Sequence, residues 1–327
     1  MTGRRHVLVT GGAGFIGSAV VQRLLKDGHR VRVLDNGSRG DVRRLATVID
    51  AVDYVEGDVR DPAVVANACA SIDVVCHLAF VNGTALFYSM PDVVLDVGIR
   101  GMLNVLDGMR RHDVGELLLA SSSEVYQTAD RVPTDERVGL SVPDPLNARY
   151  SYGGAKIASE LLTIHNKHLD RAVVFRPHNA YGPDMGWDHV IPQLALGIRE
   201  LAQSADGPLR VPIQGSGEET RAFAYIDDVV AGIALLLDRG QHLEIYNVGT
   251  DVETPIRELA ARIARCFGRS AVVEPGELQR GSTVRRCPDI TKLRDLGYAP
   301  ATSLDDGLRR TVAWYDEHAD ARPGVPA

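Results

Sequence analysis

The chain has 327 residues, 45% hydrophobic and 24% charged, which is the balance of a soluble globular protein with enough length for a large core. Its formal net charge is −7, and the 36 Lys and Arg are scattered among 43 Asp and Glu, which excludes the basic stripe of a nucleic-acid binder. The four cysteines (Cys69, Cys76, Cys266 and Cys287) are far apart and form no CxxC pair, so neither a disulfide framework nor a metal site is expected. The N-terminal residues enter a strand-like run directly, without an apolar segment of signal-peptide or membrane-spanning length, and a cytoplasmic protein is expected.

In chain order, short β-branched runs at His6–Thr10, 31–34, Val52–Glu56, 74–78 and 117–120 alternate with amphipathic stretches at Phe15–Lys26 and 92–111. A further helix is predicted over 152–169, carrying Ile157, Leu161, Leu162 and Ile164 at helical spacing, and a buried strand over 172–175. Strands separated by helices imply an α/β fold, a doubly wound parallel sheet of Rossmann type. After Arg176 the alternation loosens into stretches punctuated by Gly182-Pro183, Gly207-Pro208 and Gly215, where a smaller α/β lobe is expected to begin. The chain returns to the sheet with a helix at 226–237 and a strand at Glu244–Val248. The expected division is therefore 1–177 plus about 222–250 for the first lobe, about 178–221 and 251–320 for the second, and a frayed tail at 321–327 after a last helix over 304–318.

Residues 7–17 read VLVTGGAGFIG, a strand, a Gly-rich turn and a helix start. Such glycines permit a tight turn and a close approach of backbone to a pyrophosphate, which the free N–H groups of the helix then receive. Gly11, Gly14, Phe15, Ile16 and Gly17 are thus candidate cofactor contacts. Asp35 ends the next strand about 20 residues on, placed to bind both ribose hydroxyls and repel a 2′-phosphate, which favours NAD over NADP. Arg39 and Arg43 nearby pull the other way. Asn36 follows Asp35; Asp58 and Val59 follow the third strand beside the adenine, and His77, Leu78 and Ala79 follow the fourth along the pyrophosphate and ribose.

Ser121-Ser122-Ser123-Glu124-Val125-Tyr126 follows the fifth strand at the sheet edge where such folds bind ligands. Tyr152 and Lys156 then stand one helical turn apart, so the ammonium can lower the phenol pKa and hold a nicotinamide ribose while the tyrosinate serves as base for a sugar hydroxyl. Ser122 would share that hydroxyl's proton, and Ser121 would line the cofactor.

Together TGGAGFIG, HLA, SSSEVY, YxxxK, RPHNAYGP and the run DITKLRDLGYAP at 289–300 resemble the extended short-chain dehydrogenase/reductases that act on nucleotide sugars. The resemblance spans nearly the whole chain. It implies bound NAD that takes a hydride from the sugar, usually at C4, and commonly returns it in the same cycle. It also implies Tyr152 as base, Lys156 as ribose anchor, Ser122 as hydroxyl partner, and substrate contacts from Ser123, Asn179, Val190, Arg221 and Arg286. In that family Asn179 would touch the diphosphate, Val190 would lie over the base, and Arg221 and Arg286 would clamp the diphosphate, although Arg280 and Arg285 compete with Arg286. His178 either lines the nicotinamide pocket or packs as a structural histidine. The family's helices corresponding to 92–111 and the one from Tyr152 pair across a two-fold axis, so a homodimer is expected.

The reaction turns on Glu124. A 4-epimerase needs only Ser122, Tyr152 and Lys156. The 4,6-dehydratases carry a Thr-Asp-Glu run whose Asp protonates the leaving hydroxyl, and here Ser122 and Ser123 replace its first two members. Epimerisation ranks first, followed by a UDP-glucuronate-type decarboxylase or a 4,6- or 5,6-dehydratase using Glu124. A non-catalytic NAD-binding sensor or scaffold would be marked by loss of the serine or tyrosine, and both are present.

Overall fold

The computed structural model describes residues 3–204, 207–278 and 282–322. Six strands, β1 (His6–Thr10), β2 (Arg30–Asp35), β3 (Val52–Glu56), β4 (Val74–His77), β5 (Glu116–Ala120) and β6 (Arg171–Pro177), join the strand Glu244–Val248 in one seven-stranded sheet. From edge to edge the order is Glu244–Val248, β6, β5, β4, β1, β2, β3, and every pairing is parallel. Parallel neighbours need crossovers. Helices supply them: α1 (Phe15–Lys26), α2 (Pro62–Ala68), α3 (Thr84–Ser89), α4 (Pro91–Arg111) and α5 (Tyr150–Ile164). The chain winds outward from β1 to β3, then starts again at β4 on the other side of β1, and that switch opens a crevice at the carboxyl ends of β1 and β4.

Strand alternation divides the core into two layers. Val7, Val9, Cys76, Leu118 and Phe175 point to the face covered by α1 and the helix Ile226–Arg239. Leu8, Val75, Leu117, Leu119 and Val174 point to the face covered by α2, α4 and Tyr152 of α5. Both faces are therefore apolar along the same strands. This is the double-sided burial that all-parallel sheets need. The first layer continues without a break into Leu194, Leu259, Leu308 and Val312 of the elements outside the sheet.

Those elements include the helices Val190–Ser204, Ile256–Cys266 and Leu304–Glu317 and three small sheets. In one, Thr220–Arg221 lies between Thr254–Pro255 and Arg285–Arg286. The short helices α2 and α3 and the two-residue strands are too short for a periodic signal, whereas the helices Val190–Ser204 and Ile256–Cys266 were not among the expected elements although Ile191, Leu194, Ala195 and Ile198 in one and Leu259, Ala260, Ile263 and Ala264 in the other stand at helical spacing. α5 also departs from its reading: it ends at Ile164, and its buried face carries Lys156, Ser159, Glu160 and Thr163 beside Tyr152, Gly153 and Ala155, whereas Leu161 is 51% exposed. Among the described residues no helix is long and apolar enough to cross a membrane.

Candidate active site

A cavity of about 380 Å³ lies over the carboxyl ends of the central strands. The Gly-rich turn forms its floor. A Cβ on Gly17 would come within 2.0 Å of the Gly11 carbonyl oxygen, so only glycine lets the first turn of α1 sit on the loop and aim its N–H groups into the cavity. Asp35 braces that turn, its carboxylate accepting from Ala13 N at 2.9 Å and Gly37 N at 2.9 Å, and its remaining lone pairs face the cavity. Arg43 turns outward onto Asp41, whereas Arg39 lines the cavity. Asp58 also lines it; hydrogen bonds from Arg60, with help from Asn36, hold its carboxyl at about 2 despite partial burial. Leu78 and Ala79 line the wall. His77 does not: it is buried in the sheet, paired with Thr10 Oγ1 at 2.7 Å. Apart from His77, the residues expected to hold a dinucleotide, from Gly11, Phe15 and Ile16 through Asn36 and Val59 to Ser121 and Lys156, meet in this one cavity, and a cradle of glycine N–H groups beside a carboxylate fits NAD.

Tyr152 and Lys156 enter from the first two turns of α5, which is pressed against the short 3-10 helix Ser123–Tyr126. A Cβ on Gly153 would lie 2.6 Å from Gln127 Nε2 and 3.1 Å from the Glu124 carbonyl oxygen, so the glycine is what lets the helices approach. That approach brings the Tyr152 hydroxyl beside Ser122 at the cavity wall. The Tyr152 ring stacks on Phe87 (centroids 4.8 Å apart) and meets the edge of Phe80 at 5.1 Å. Lys156 Nζ donates to the Ala120 carbonyl at 2.6 Å and sits 3.9 Å above the Phe80 ring and 5.8 Å from the Tyr152 ring. Burial lowers the Lys156 pKa to about 7, opposed by the Glu160 charge. The expected depression of the tyrosine is not found: burial between two phenylalanines pushes the Tyr152 phenol up, the nearby Glu124 charge adds to this, and Ser122 counters only part of it.

Beneath the pair runs a buried polar chain that sequence reasoning missed. Glu160, one turn beyond Lys156, binds Arg176 of β6 through both oxygens (Nε–Oε1 2.9 Å, Nη2–Oε2 2.6 Å) and accepts from Ser121. Arg176 donates to Tyr126 Oη at 2.7 Å, which donates to Asn247 Oδ1 at 2.9 Å; His178 Nε2 reaches the same oxygen at 3.0 Å. Because Asn247 Nδ2 donates to the Thr134 and Asp289 carbonyls, its oxygen must accept, and His178 therefore carries its proton on Nε2. His178 is thus a packed structural histidine outside the cavity lining, its pKa lowered to about 3, chiefly by burial. The i+4 repeat Tyr152, Lys156, Glu160 was the available signal for the carboxylate.

On the substrate side, Ser123, Glu124, Asn179 and Arg286 line the cavity, but Val190 and Arg221 do not. Val190 begins a helix and packs on the core. Arg221 stands behind Arg286, donating to the Thr283 carbonyl at 2.7 Å and the Thr220 carbonyl at 2.8 Å. Arg286 Nη1 donates to Glu124 Oε1 at 2.6 Å, and Arg149 Nη2 lies 3.8 Å from Glu124 Oε2. Burial raises the Glu124 pKa, but Arg286, Arg149 and Arg221 together outweigh it and hold the carboxyl below its ordinary value. Arg285 is turned away onto Glu253, leaving Arg286 at the cavity; Arg280 and Gly281 lie outside the described residues. Asn179 holds a left-handed backbone (φ 38°), which Asn tolerates, and donates to the Ala222 carbonyl at 3.2 Å.

Residues 7–249 match the model of the NAD dependent epimerase/dehydratase family. The chain belongs to that family. It is 31% identical to a dTDP-glucose 4,6-dehydratase of Streptomyces antibioticus, over 98% of this chain and 97% of the relative, and 30% identical to UDP-glucuronic acid decarboxylase 1 of Xenopus tropicalis, over 95% and 72%. The crystal structure of a UDP-glucose 4-epimerase of Thermotoga maritima with UDP-glucose superposes with a TM-score of 0.84 at 27% identity, covering 96% of this chain and 99% of that one. Membership in this epimerase/dehydratase family makes NAD the cofactor and a nucleotide-sugar-modifying enzyme the class. It leaves the reaction at the sugar to be argued from the site.

Proposed function

We propose that the chain catalyses 4-epimerisation of a nucleotide-activated hexose or related sugar through a transient 4-keto sugar. The observation that carries this reading is the commitment of Glu124 to Arg286 and Arg149. A carboxylate held ionised by guanidinium groups is a weak base, and Ser123 stands where dehydratases carry their acid, so neither half of a water elimination at C5 and C6 has its proton-transfer group.

NAD, when bound, supplies the acceptor and later the donor of the hydride at C4. The chain's own residues handle the proton. Ser122 and Tyr152 bracket the C4 hydroxyl; to take its proton Tyr152 must reach the phenolate form against the burial that pushes its pKa up. The charged form of Lys156, 5.8 Å from the ring, together with the cationic nicotinamide of bound NAD would favour that form. Returning the hydride to the other face needs only that the keto sugar turn. In this reading residues 1–177 with about 222–250 hold the cofactor, the remaining elements to about 320 form the nucleotide-sugar lobe, and two copies pair in the cytoplasm through α4 and α5.

One observation favours a second reading. Arg286 lines the cavity beside Glu124, and its guanidinium fork would suit a C6 carboxylate. A 4-keto uronate is a β-keto acid that releases CO₂ without an acid at C6, so decarboxylation is compatible with the same residues. NMR-monitored incubation with UDP-, GDP-, ADP- and dTDP-sugars tests both. A C4 epimer of unchanged mass is the expected product. Loss of water or of CO₂, or no conversion of any sugar, would overturn the epimerase reading.

A further inference from the structure

The mouth of the cofactor cavity is crossed by the segment 184–189, which contributes Met185, Gly186 and His189 to the lining. One end of this strap is fixed to the C-terminal helix: the Trp187 ring lies 5.3 Å from Tyr315, edge to face, and Tyr315 Oη donates to the Gly186 carbonyl. The other end is tied to the cofactor side of the cavity by one residue. Arg44 Nε and Nη2 donate to the two carboxylate oxygens of Asp184 at 2.8 and 2.9 Å, and Nη2 also reaches the Asp184 carbonyl at 3.1 Å. From the same guanidinium, Nη1 reaches the Ala13 carbonyl of the Gly-rich turn at 3.3 Å.

We propose that the Arg44–Asp184 pair is a latch that closes the strap over the dinucleotide and retains it from one turnover to the next. The pair joins residues 140 positions apart, and its fork geometry fixes direction as well as distance. Its side chains are 16% and 34% exposed, so the bond can open without breaking the core. Ala13 links the latch to the ribose site, since its N–H is held by Asp35. A bound dinucleotide runs from that carboxylate along the turn, so the strap must lift for it to leave. Retention is useful because the hydride returns within each cycle, and that use rests on the proposed reaction; the geometry does not.

The test measures NAD release with no sugar present, so its failure is separate from failure of the epimerase reading. Protein purified with bound NAD is diluted into a trap, and the dissociation rate is compared for the parent, Arg44→Ala, Asp184→Asn and the charge swap Arg44→Asp with Asp184→Arg. Circular dichroism checks that each variant is folded. The expected result is release at least about tenfold faster in both single variants, with substoichiometric NAD after purification, and recovery towards the parent rate in the swap. Parent-like release in either single variant overturns the latch. Fast release in a folded swap also overturns it, because Arg44 would then act alone on the dinucleotide.

Discussion

Arg286, 162 positions beyond Glu124 in the chain, donates to its carboxylate at 2.6 Å. This contact makes Glu124 a holder of a guanidinium. Glu124→Gln should therefore keep kcat within about threefold and raise KM, because Arg286 loses the charge that fixes it, whereas removing a general base would cost about 10²- to 10⁴-fold in kcat. Steady-state kinetics on the sugar identified by NMR decide between the two.

Tyr152→Phe preserves the ring contacts with Phe80 and Phe87 but removes the hydroxyl. Turnover should fall by at least about 10²-fold while NAD affinity stays within about twofold. Cofactor titration alongside kinetics checks both halves, and near-parent turnover would sink the proposed chemistry.

The Glu160–Arg176 pair is 2% exposed on both sides. Removing one partner leaves an uncompensated buried charge, so Glu160→Ala should cost about 3–5 kcal/mol in denaturant unfolding. Replacing both partners, as in Glu160→Leu with Arg176→Met, should recover much of that loss. A single variant as stable as the parent would contradict the burial described.

His77 and His178 are both kept neutral, with pKa values lowered to about 3, chiefly by burial. Their folded values lie below the unfolded value of 6.5, so the unfolded chain takes up the proton first. The stability they contribute is complete above about pH 6.5 and is lost as pH falls towards 3. At pH 5 the loss should be about 2 kcal/mol for each histidine. Urea unfolding at pH 7 and pH 5 measures it, and His178→Gln should flatten the dependence.

α4 exposes Leu95 and Leu103 and α5 exposes Leu161, at 38%, 44% and 51%. If these faces pair in the proposed homodimer, Leu103→Lys with Leu161→Lys should give a monomer by analytical ultracentrifugation with little change in monomer stability. A parent protein that is already monomeric at micromolar concentration would refute the pairing.

The sheet and the cofactor side of the site were readable in the sequence because each rests on local pattern. β-branched runs mark the strands, and the Gly-rich turn, Asp35 and the Tyr152–Lys156 spacing carry their own geometry. Contacts across long sequence separations were not readable. Nothing near Glu124 points to Arg286, nothing near Arg44 points to Asp184, and nothing local tells Arg221 from its register partner Arg286, of which only the latter reaches the cavity. The Tyr152 environment was also misjudged from spacing alone, since Phe80 and Phe87 arrive from a different loop and helix to desolvate it.

α5 mixes polar groups into its interior side, where Lys156, Ser159, Glu160 and Thr163 are buried beside Tyr152 and Ala155, while Leu161 looks outward. A protein engineer guided by hydropathy would therefore edit the wrong side. Exchanging Leu161 for a charged residue to improve solubility would touch the face of the proposed pairing, and greasing Ser159 or Thr163 to strengthen the core would crowd a polar seam that already closes on the backbone, where both hydroxyls hydrogen-bond to carbonyls within the helix.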